Sequence, residues 1–169
     1  MNPLGRMRLP FGRINNIYPQ WVSNEPVSVT GTTDRTTLAR VQLPGGMLGP
    51  NGQLRIDLLS SIGSTGASGS AKNLKIELGN SDASLETLFD YSVAVSAGLG
   101  FCLAVSNRND VASQVFPSLD VIFPAADIAF STSSVDTDQD MILRVSCALE
   151  DADETFTLER LHVETIFCD

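Results

Sequence analysis

The chain contains a single histidine, His162, and this limits the chemistry that the sequence can support. Catalytic triads and most catalytic zinc sites need a histidine beside a nucleophile or beside further ligands, and no second histidine exists to form such a cluster. The Gly-x-Ser-x-Gly motif of serine hydrolases is also absent. His162 lies between Leu161 and Val163 in an apolar stretch. We therefore predict a structural or surface role for His162, no catalytic residues and no enzymatic activity.

Three aspartates at alternate positions, Asp136, Asp138 and Asp140, resemble the beginning of a calcium-binding loop. The full loop also needs a glycine at its sixth position and a bidentate glutamate at its twelfth. This chain has Met141 and Cys147 at those two positions. We favour a solvated acidic turn for residues 136–140, while the alternative that the loop binds a cation stays open.

Two further segments are tested for ligand chemistry and predicted to have none. The acidic residues of 150–154 are predicted to form the solvated tip of a hairpin, where charges discourage pairing with other sheets. The glycine-rich segment 63–69 is not followed by the Lys-Ser/Thr pair of a phosphate-binding loop, and no helix is predicted after it. We therefore expect no cofactor and no metal.

The three cysteines, Cys102, Cys147 and Cys168, are widely spaced and contain no C-x-x-C pair. An odd number at such spacing indicates neither a disulfide framework nor a zinc site. Cys102 and Cys147 each lie within an apolar run, where a free cysteine behaves as a small hydrophobic residue. The pattern predicts that both are buried free thiols.

Length and composition predict one folded domain with a short appended arm. The 169 residues are 43% hydrophobic and 18% charged, which is typical of globular proteins. A net charge of −9 argues against nucleic acid as a partner, because binding phosphates needs a surplus of Lys and Arg. No continuous apolar run reaches the roughly 18 residues of a membrane span, and the N-terminus lacks the apolar region of a signal peptide. We expect a soluble protein that is made in the cytoplasm.

Residues 1–24 differ from the rest of the chain in charge and in proline content. They contain three arginines and no acidic residue, whereas residues 25–169 contain 8 basic and 20 acidic residues. Prolines at positions 3, 10 and 19 disfavour a helix interior or a central strand. This asymmetry predicts an extended arm that attaches the chain to a partner.

The residues of this arm that we predict to bind a partner combine positive charge with aromatic side chains. They are Arg6, Arg8, Phe11, Arg13, Tyr18 and Trp21. A lone tryptophan outside the main domain is well suited to anchor an interface. Two alternatives stay open: the segment could be a lead-in strand that packs on its own domain, and Trp21 could cover the open end of that domain.

From Val27 onward, strand-like runs alternate with turn clusters at intervals of roughly 8 to 15 residues, which is typical of an all-β sandwich. The clearest runs are 53–59 and 72–78, where apolar residues occupy every second position. The other predicted strands are 36–43, 88–95, 100–106, 114–116, 121–123, 128–131, 141–149 and 155–167. We predict an antiparallel β-sandwich over residues 25–169.

Three local details of this sandwich are predicted as well. Along the run 155–167 the apolar residues change from even to odd positions. An extra residue in the strand would account for this change, so a β-bulge near 159–161 is expected. The acidic segment 150–153 is predicted to join the strands 141–149 and 155–167 as a hairpin. Residues 82–89 form the one helical candidate, because Leu85, Leu88 and Phe89 could share one apolar turn.

Four segments of the sequence resemble a family of small jelly-roll modules found in virion proteins of tailed bacteriophages, among them head decoration proteins and fibres. They are 29–33 (VTGTT), 37–45 (TLARVQLPG), 48–55 (LGPNGQLR) and 72–79 (KNLKIELG). The region 132–157 is similar to the closing strands of that family, and the arm lies outside the resemblance. The resemblance implies a jelly-roll sandwich used as a building block of a virion, commonly as a homotrimer.

The first functional hypothesis is therefore a capsid decoration or cement protein that uses its arm to bind the major capsid protein or another virion protein. The alternative is a tail or head fibre or receptor-binding component that is attached to the particle through the same arm. Host-binding loops tend to display aromatic residues, whereas the loops here are rich in glycine and serine or acidic, which favours decoration. A carbohydrate-binding or hydrolytic sandwich is a third hypothesis.

Overall fold

The computed structural model of this chain describes residues 14–64, 72–93, 98–117 and 130–168. These residues form eleven β-strands and no helix, so none of their segments is a helix long and apolar enough to cross a membrane. The strands are β1 (Ile14–Ser23), β2 (Val27–Thr30), β3 (Thr36–Leu43), β4 (Gln53–Ser64), β5 (Lys72–Gly79), β6 (Glu86–Val93), β7 (Leu99–Asn107), β8 (Gln114–Pro117), β9 (Phe130–Ser133), β10 (Met141–Leu149) and β11 (Glu154–Cys168).

The strands form two antiparallel sheets that pack face to face, which confirms the predicted all-β sandwich. The larger sheet has the order β1-β11-β4-β7-β8-β9, and β2 also pairs with β11. The smaller sheet has the order β3-β10-β5-β6. Its two outer strands are therefore β3 and β6.

The connectivity is that of a jelly roll. Strands β2, β11, β4 and β7 form one four-stranded layer, and β3, β10, β5 and β6 form the other. Along the chain, β2, β3, β4 and β5 alternate between the two layers, β6 stays with β5, and β7, β10 and β11 alternate again. This is the eight-strand double Greek key of jelly-roll folds. Strands β8 and β9 extend the larger sheet beyond β7, whereas β1 is added along the outer side of β11.

Period-two alternation places the core between the sheets. In β4 the side chains of Leu54, Ile56 and Leu58 are buried, while the residues between them face outward. The smaller sheet contributes Leu143 and Val145 of β10 in the same way. Because both layers bury one face, a shift of a single residue in any of these strands would expose its apolar side chains.

The predicted helix over 82–89 is wrong. Residues Ser81 to Ser84 form a hydrogen-bonded turn, and Leu88 and Phe89 belong to β6. The pairing of β6 with β5 shifts between Ile76 and Glu77, so Leu88 is an extra residue beside Phe89. This bulge buries two consecutive apolar side chains, and that local pattern is the one that resembled a helical turn.

The predicted hairpin between 141–149 and 155–167 is also wrong. Strand β10 pairs with β3 and β5, whereas β11 belongs to the other sheet and pairs with β1, β2 and β4. The segment 150–153 therefore crosses from one layer to the other. The β-bulge expected near 159–161 is confirmed by a register shift between Leu158 and Arg160 in the pairing of β11 with β4.

The glycine-rich loop 44–52 crosses between the sheets from β3 to β4. Gly46 and Gly49 adopt φ angles of 75° and 66°, in the left-handed region that glycine enters without steric cost. A β-carbon at Gly49 would lie 2.7 Å from the carbonyl oxygen of Cys168. The loop is thus held against the end of β11, as the hydrogen bond from the Cys168 amide to the Leu48 carbonyl also shows.

Candidate interaction surface

The second half of the predicted arm is strand β1, which runs antiparallel to the C-terminal part of β11. The pairing extends from Ile14 opposite Cys168 to Ser23 opposite Leu161. Within the described ranges no strand pairs with the other side of β1, so β1 is the edge of the larger sheet. Residues 14–23 thus follow the alternative of a lead-in strand on their own domain.

The predicted partner-binding residues fall into two groups. Arg6, Arg8, Phe11 and Arg13 lie outside the described residues. Tyr18 lies opposite Thr165, and Trp21 lies opposite Val163, where its half-buried side chain packs against the core of its own domain. Partner binding by all six residues stays a prediction.

A short exposed segment of Asn24, Glu25 and Pro26 separates β1 from β2, and we call it the hinge. Strand β2 pairs with β11 from Leu158 to Thr155, directly after the stretch that β1 occupies. Both strands therefore lie on one side of β11, and the hinge passes the bulge of that strand. The hinge is held by the Ser23 hydroxyl, which accepts a hydrogen bond of 3.3 Å from the Glu25 amide.

Exposed apolar side chains concentrate around this hinge. The exposed large hydrophobic residues of the described chain are Val22, Val27, Leu59 and Phe130. Val22 precedes the hinge and is 55% exposed, Val27 follows it, and Leu59 is 45% exposed opposite Arg160 on the outer face of the larger sheet. Val22 and Leu59 lie on the outer face of the sheet, whereas Val27 pairs with the buried Leu158 and lies on the inner face, so the three side chains do not form one apolar surface.

The outer face of the larger sheet brings His162, Asp57 and Cys102 into one cross-strand row. His162 pairs with Asp57 and Asp57 pairs with Cys102, so the carboxylate lies between the imidazole and the thiol. The His162 Nδ1 atom is 3.9 Å from Asp57, and Nε2 is 3.4 Å from Glu164. This order is not that of a nucleophile activated by histidine, in which the imidazole contacts the nucleophile directly.

The thiols confirm one prediction and correct another. Cys147 is buried as predicted, and desolvation raises its pKa to about 12. Cys102 is exposed, because β7 directs Leu103 inward and therefore turns its neighbour outward. Partial burial and a hydrogen bond with Asp57 raise the pKa of Cys102, which disfavours the thiolate that nucleophilic chemistry needs.

The acidic loop 136–140 uses its polar groups to close a turn. The Asp136 carboxylate accepts a hydrogen bond from the Asp138 amide at 3.0 Å, and Asp140 accepts one from the Gly45 amide at 2.9 Å. Asn80 donates to the carbonyls of both Asp136 and Asp140. A shallow cavity of about 500 Å³ lies above this turn. No group of three or more potential metal ligands occurs within the described part of the chain.

The prediction of a solvated acidic tip is wrong for Glu154. Its side chain is 1% exposed and forms an ion pair with Lys72, whose side chain is 2% exposed. The other carboxylate oxygen, Oε2, makes no hydrogen bond with the described residues. Alternation along the strands indicated that both side chains are buried, because Lys72 lies on the same inward face as Leu74 and Glu154 on the same inward face as Phe156.

A neutral buried network, which the sequence did not indicate, occupies the opposite end of the sandwich. The Asn107 side chain donates to the Gly49 carbonyl at 2.7 Å and to the Thr137 hydroxyl at 2.8 Å, and it accepts from Gln114 at 3.0 Å. Gln114 and Thr137 both bond to the Val111 carbonyl as well. The network joins the loops 44–52, 108–113 and 134–140.

No protein-family model matches the sequence, and no curated protein matches it. Solved structures similar to the chain include the CBM2 module of the evolved Dit of Lactobacillus casei BL23 phage J-1, at 10% identity and TM-score 0.44, covering 95% of this chain and 80% of that one. The winged bean acidic lectin in complex with methyl-α-D-galactose aligns at 9% identity and TM-score 0.38, covering 92% and 95%. An infectious bursal disease virus structure aligns at 10% identity and TM-score 0.31, covering 89% and 37%. At these scores the assignment of the fold rests on strand connectivity.

Proposed function

We propose that this chain is a structural subunit of a bacteriophage virion, and specifically a decoration or cement protein of the capsid. The observation that carries the proposal is a complete jelly roll preceded by a basic N-terminal segment, which is joined to it through an edge strand. The resemblance of residues 29–55 and 72–79 to phage jelly-roll modules supports the virion as the location.

The charge distribution supports attachment through the N-terminus. Arg6, Arg8 and Arg13 precede the described strand β1, whereas residues 25–169 have 12 more acidic than basic residues. An acidic surface attracts a basic segment. The same surface repels the acidic domain to which that segment is attached. The major capsid protein or another virion protein is the partner that this function requires.

The mechanism is stabilisation of the assembled state. A subunit that binds only where capsomers adjoin adds buried area to the shell and raises its stability by mass action. No chemistry is needed for this role. Within the described residues, the one row that combines a thiol, a carboxylate and an imidazole has the wrong order for catalysis.

A fibre or receptor-binding component is the second candidate. It would attach through the same N-terminal segment and present the loops of the opposite end to a host surface. The exposed charged residues Glu150 and Asp153 of that end favour decoration, because host-binding tips rely on aromatic anchors.

The structure indicates how the attachment is best tested. A variant that lacks residues 1–13 removes the three arginines but keeps β1, whereas removal of 1–24 would also expose the edge of β11. We expect the 1–13 deletion to abolish binding to purified shells of the phage that encodes the chain, in a sedimentation assay. We expect the same loss when Arg6, Arg8 and Arg13 are changed to Gln.

The matched control changes three exposed arginines of the domain, Arg40, Arg108 and Arg160, to Gln. It alters the net charge by the same amount and should keep shell binding. If the deletion binds as well as the full chain, attachment through the N-terminus is refuted. If the full chain binds a host surface, and the 1–13 deletion keeps that binding but no longer attaches to the particle, the receptor-binding candidate replaces decoration.

A further inference from the structure

Strand β1 begins at the same end of the sandwich as the loop 44–52. Ile14 is the Cα partner of Cys168, and the Cys168 amide donates a hydrogen bond to the Leu48 carbonyl. Strand β2, which pairs with β11 on the same side as β1, contacts β3, and β3 ends at Leu43 directly before this loop. The segment that precedes β1 is therefore connected to the sandwich on the side where β3 ends.

A polar groove lies at this end of the sandwich, next to the end of β3. It consists of the cavity of about 500 Å³ above the turn 136–140 and a smaller cavity of about 180 Å³. Pro44 and Asp140 line both cavities, and the smaller one follows Gln42 and Leu43 of β3. We call the two cavities together the acidic groove.

The aspartates of the turn beneath the acidic groove have no cationic partner among the described residues. No ion pair of the described chain involves Asp136, Asp138 or Asp140. Asp136 and Asp140 accept hydrogen bonds from backbone amides, which do not neutralise a carboxylate, and Asp138 is exposed. By contrast, Glu77 and Asp82 each form an ion pair with an arginine. The turn thus carries three negative charges that nothing in the described chain compensates.

The segment 1–13 has the complementary charge and the necessary length. It contains Arg6, Arg8 and Arg13 and no acidic residue. Thirteen extended residues span up to about 45 Å, which is more than the segment needs to reach the end of β3. Because the segment is tethered at this end of the sandwich, its local concentration at the groove is on the order of millimolar. Several exposed ion pairs, each of them weak, can therefore hold it there.

We propose that residues 1–13 bind in the acidic groove of their own chain before that chain attaches to a shell, with their three arginines beside the aspartates of the turn 136–140. The inference rests on the proposed function, because it concerns the segment that attaches to the shell, and it adds regulation of that segment. An acidic surface on the shell has to displace the groove as the partner of the arginines. In free copies the basic segment is covered, which disfavours its binding to other acidic surfaces.

Paramagnetic relaxation measured by NMR tests this contact in the free chain. A nitroxide label on Gln139→Cys lies at the groove. Cys102 and Cys168 are changed to Ser, and the third cysteine, which is buried, is kept. The matched control carries the same label in a chain whose three N-terminal arginines are changed to Gln. It keeps the tether and its length, so it measures the broadening of the signals of residues 1–13 that proximity alone produces.

We expect the label to broaden the amide signals of residues 1–13 strongly in the chain with its arginines and weakly in the control. High salt should reduce the broadening to that of the control, because it screens exposed ion pairs. Equal broadening in the two proteins would overturn the proposal. Spin-labelled protein is also mixed with unlabelled protein that is enriched in nitrogen-15. Broadening in this mixture would show that the segment binds a second copy, and it would overturn binding within one chain.

Shell binding tests the competition between groove and shell. Asp138→Lys with Gln139→Lys removes the net negative charge of the turn, and the matched control, Thr33→Lys with Asp34→Lys, changes the net charge equally in an exposed loop at the opposite end. A segment that is held in the groove nine-tenths of the time binds a shell about tenfold more weakly than a free segment. We expect the groove variant to bind purified shells up to about tenfold more tightly than the control.

Equal shell affinities of the two variants would overturn the competition. If neither these variants nor the unaltered chain binds shells, the proposed function fails. The NMR measurement uses no shells, so it still decides whether the acidic groove holds residues 1–13.

Discussion

The two ends of the sandwich bury polar groups in different ways. The ion-pair end, where the chain turns at 31–35 and 150–153, buries Lys72 and Glu154 between the sheets. The amide end, where the loops 44–52, 108–113 and 134–140 meet, buries the neutral network around Asn107. Charge needs a partner of opposite charge once water is excluded, whereas amides and hydroxyls need only hydrogen bonds.

This difference affects what each end contributes to stability. A buried ion pair recovers through its attraction little more than the cost of removing two charges from water, so it is costly to break but of small net value. A neutral network has a smaller desolvation cost and joins three loops that are far apart in sequence. We expect the ion pair to favour one arrangement of the two sheets over other arrangements. We expect the amide network to hold the three loops in place.

The largest effect is expected from Lys72→Met, which leaves the Glu154 carboxylate buried without this cation. Breaking a buried pair from one side costs about 3 to 5 kcal/mol of unfolding free energy. The Glu154 Oε2 atom already makes no hydrogen bond with the described residues, so little compensation is available. Chemical denaturation at neutral pH measures the loss.

The control for this prediction removes both charges, as Lys72→Met with Glu154→Leu. The double variant should recover most of the stability that the single variant loses, because no charge then remains in the site. A double variant as unstable as the single one would show that the pair itself, and not the isolated charge, supplies the stability.

The second largest effect is expected from Asn107→Ala at the amide end. The change removes the donor for the Gly49 carbonyl and the Thr137 hydroxyl, and the acceptor for Gln114. Buried groups left without partners should lower the unfolding free energy by about 2 to 3 kcal/mol. The same substitution at the exposed Asn24 is the control, and it should change stability by less than about 0.5 kcal/mol. Equal effects at the two sites would contradict the role of the network.

Strand positions were largely predictable from the sequence, whereas the partners of the strands were not. Strands β3 and β10 have the predicted bounds, because apolar residues at every second position determine both the strand and its buried face. The sheet to which β10 and β11 belong depends on residues far apart in the chain. A polar turn at 150–153 suits a hairpin and a crossing between layers equally well.

The buried polar sites show where prediction by local pattern ends. Lys72 and Glu154 are 82 positions apart, so parity could indicate that each faces inward but not that they meet. In the run 99–106 the large apolar side chains all occupy odd positions, so alternation indicated that Cys102 faces outward, and the prediction of burial from residue type alone missed this signal. Of the predicted partner-binding residues, the structure describes two, Tyr18 and Trp21, and pattern gave no sign of their pairing with β11.

A third prediction concerns a carboxylate between the two ends. Glu77 in β5 is partly desolvated, which opposes ionisation, but hydrogen bonds and ion pairs with Lys75 and Arg144 outweigh burial and lower its pKa. A lowered pKa contributes stability that is present above the ordinary glutamate pKa and is lost as pH falls through the value in the folded state. Acid unfolding followed by circular dichroism should therefore show weaker pH dependence below about pH 4.5 in Glu77→Gln than in the unaltered chain. Unchanged pH dependence would contradict this role of Glu77.

The smallest effect is expected from an ion pair that water surrounds. Arg40 and Asp82 lie 3.2 Å apart, with side chains 41% and 62% exposed. Solvent screening and the cost of ordering two long side chains leave such a pair with about 0 to 1 kcal/mol. Arg40→Ala should therefore change the unfolding free energy by less than about 1 kcal/mol, and added salt should reduce even this difference. A loss of unfolding free energy comparable with that of Lys72→Met would contradict this prediction. Solvent exposure would then not explain the difference between exposed and buried ion pairs in this chain.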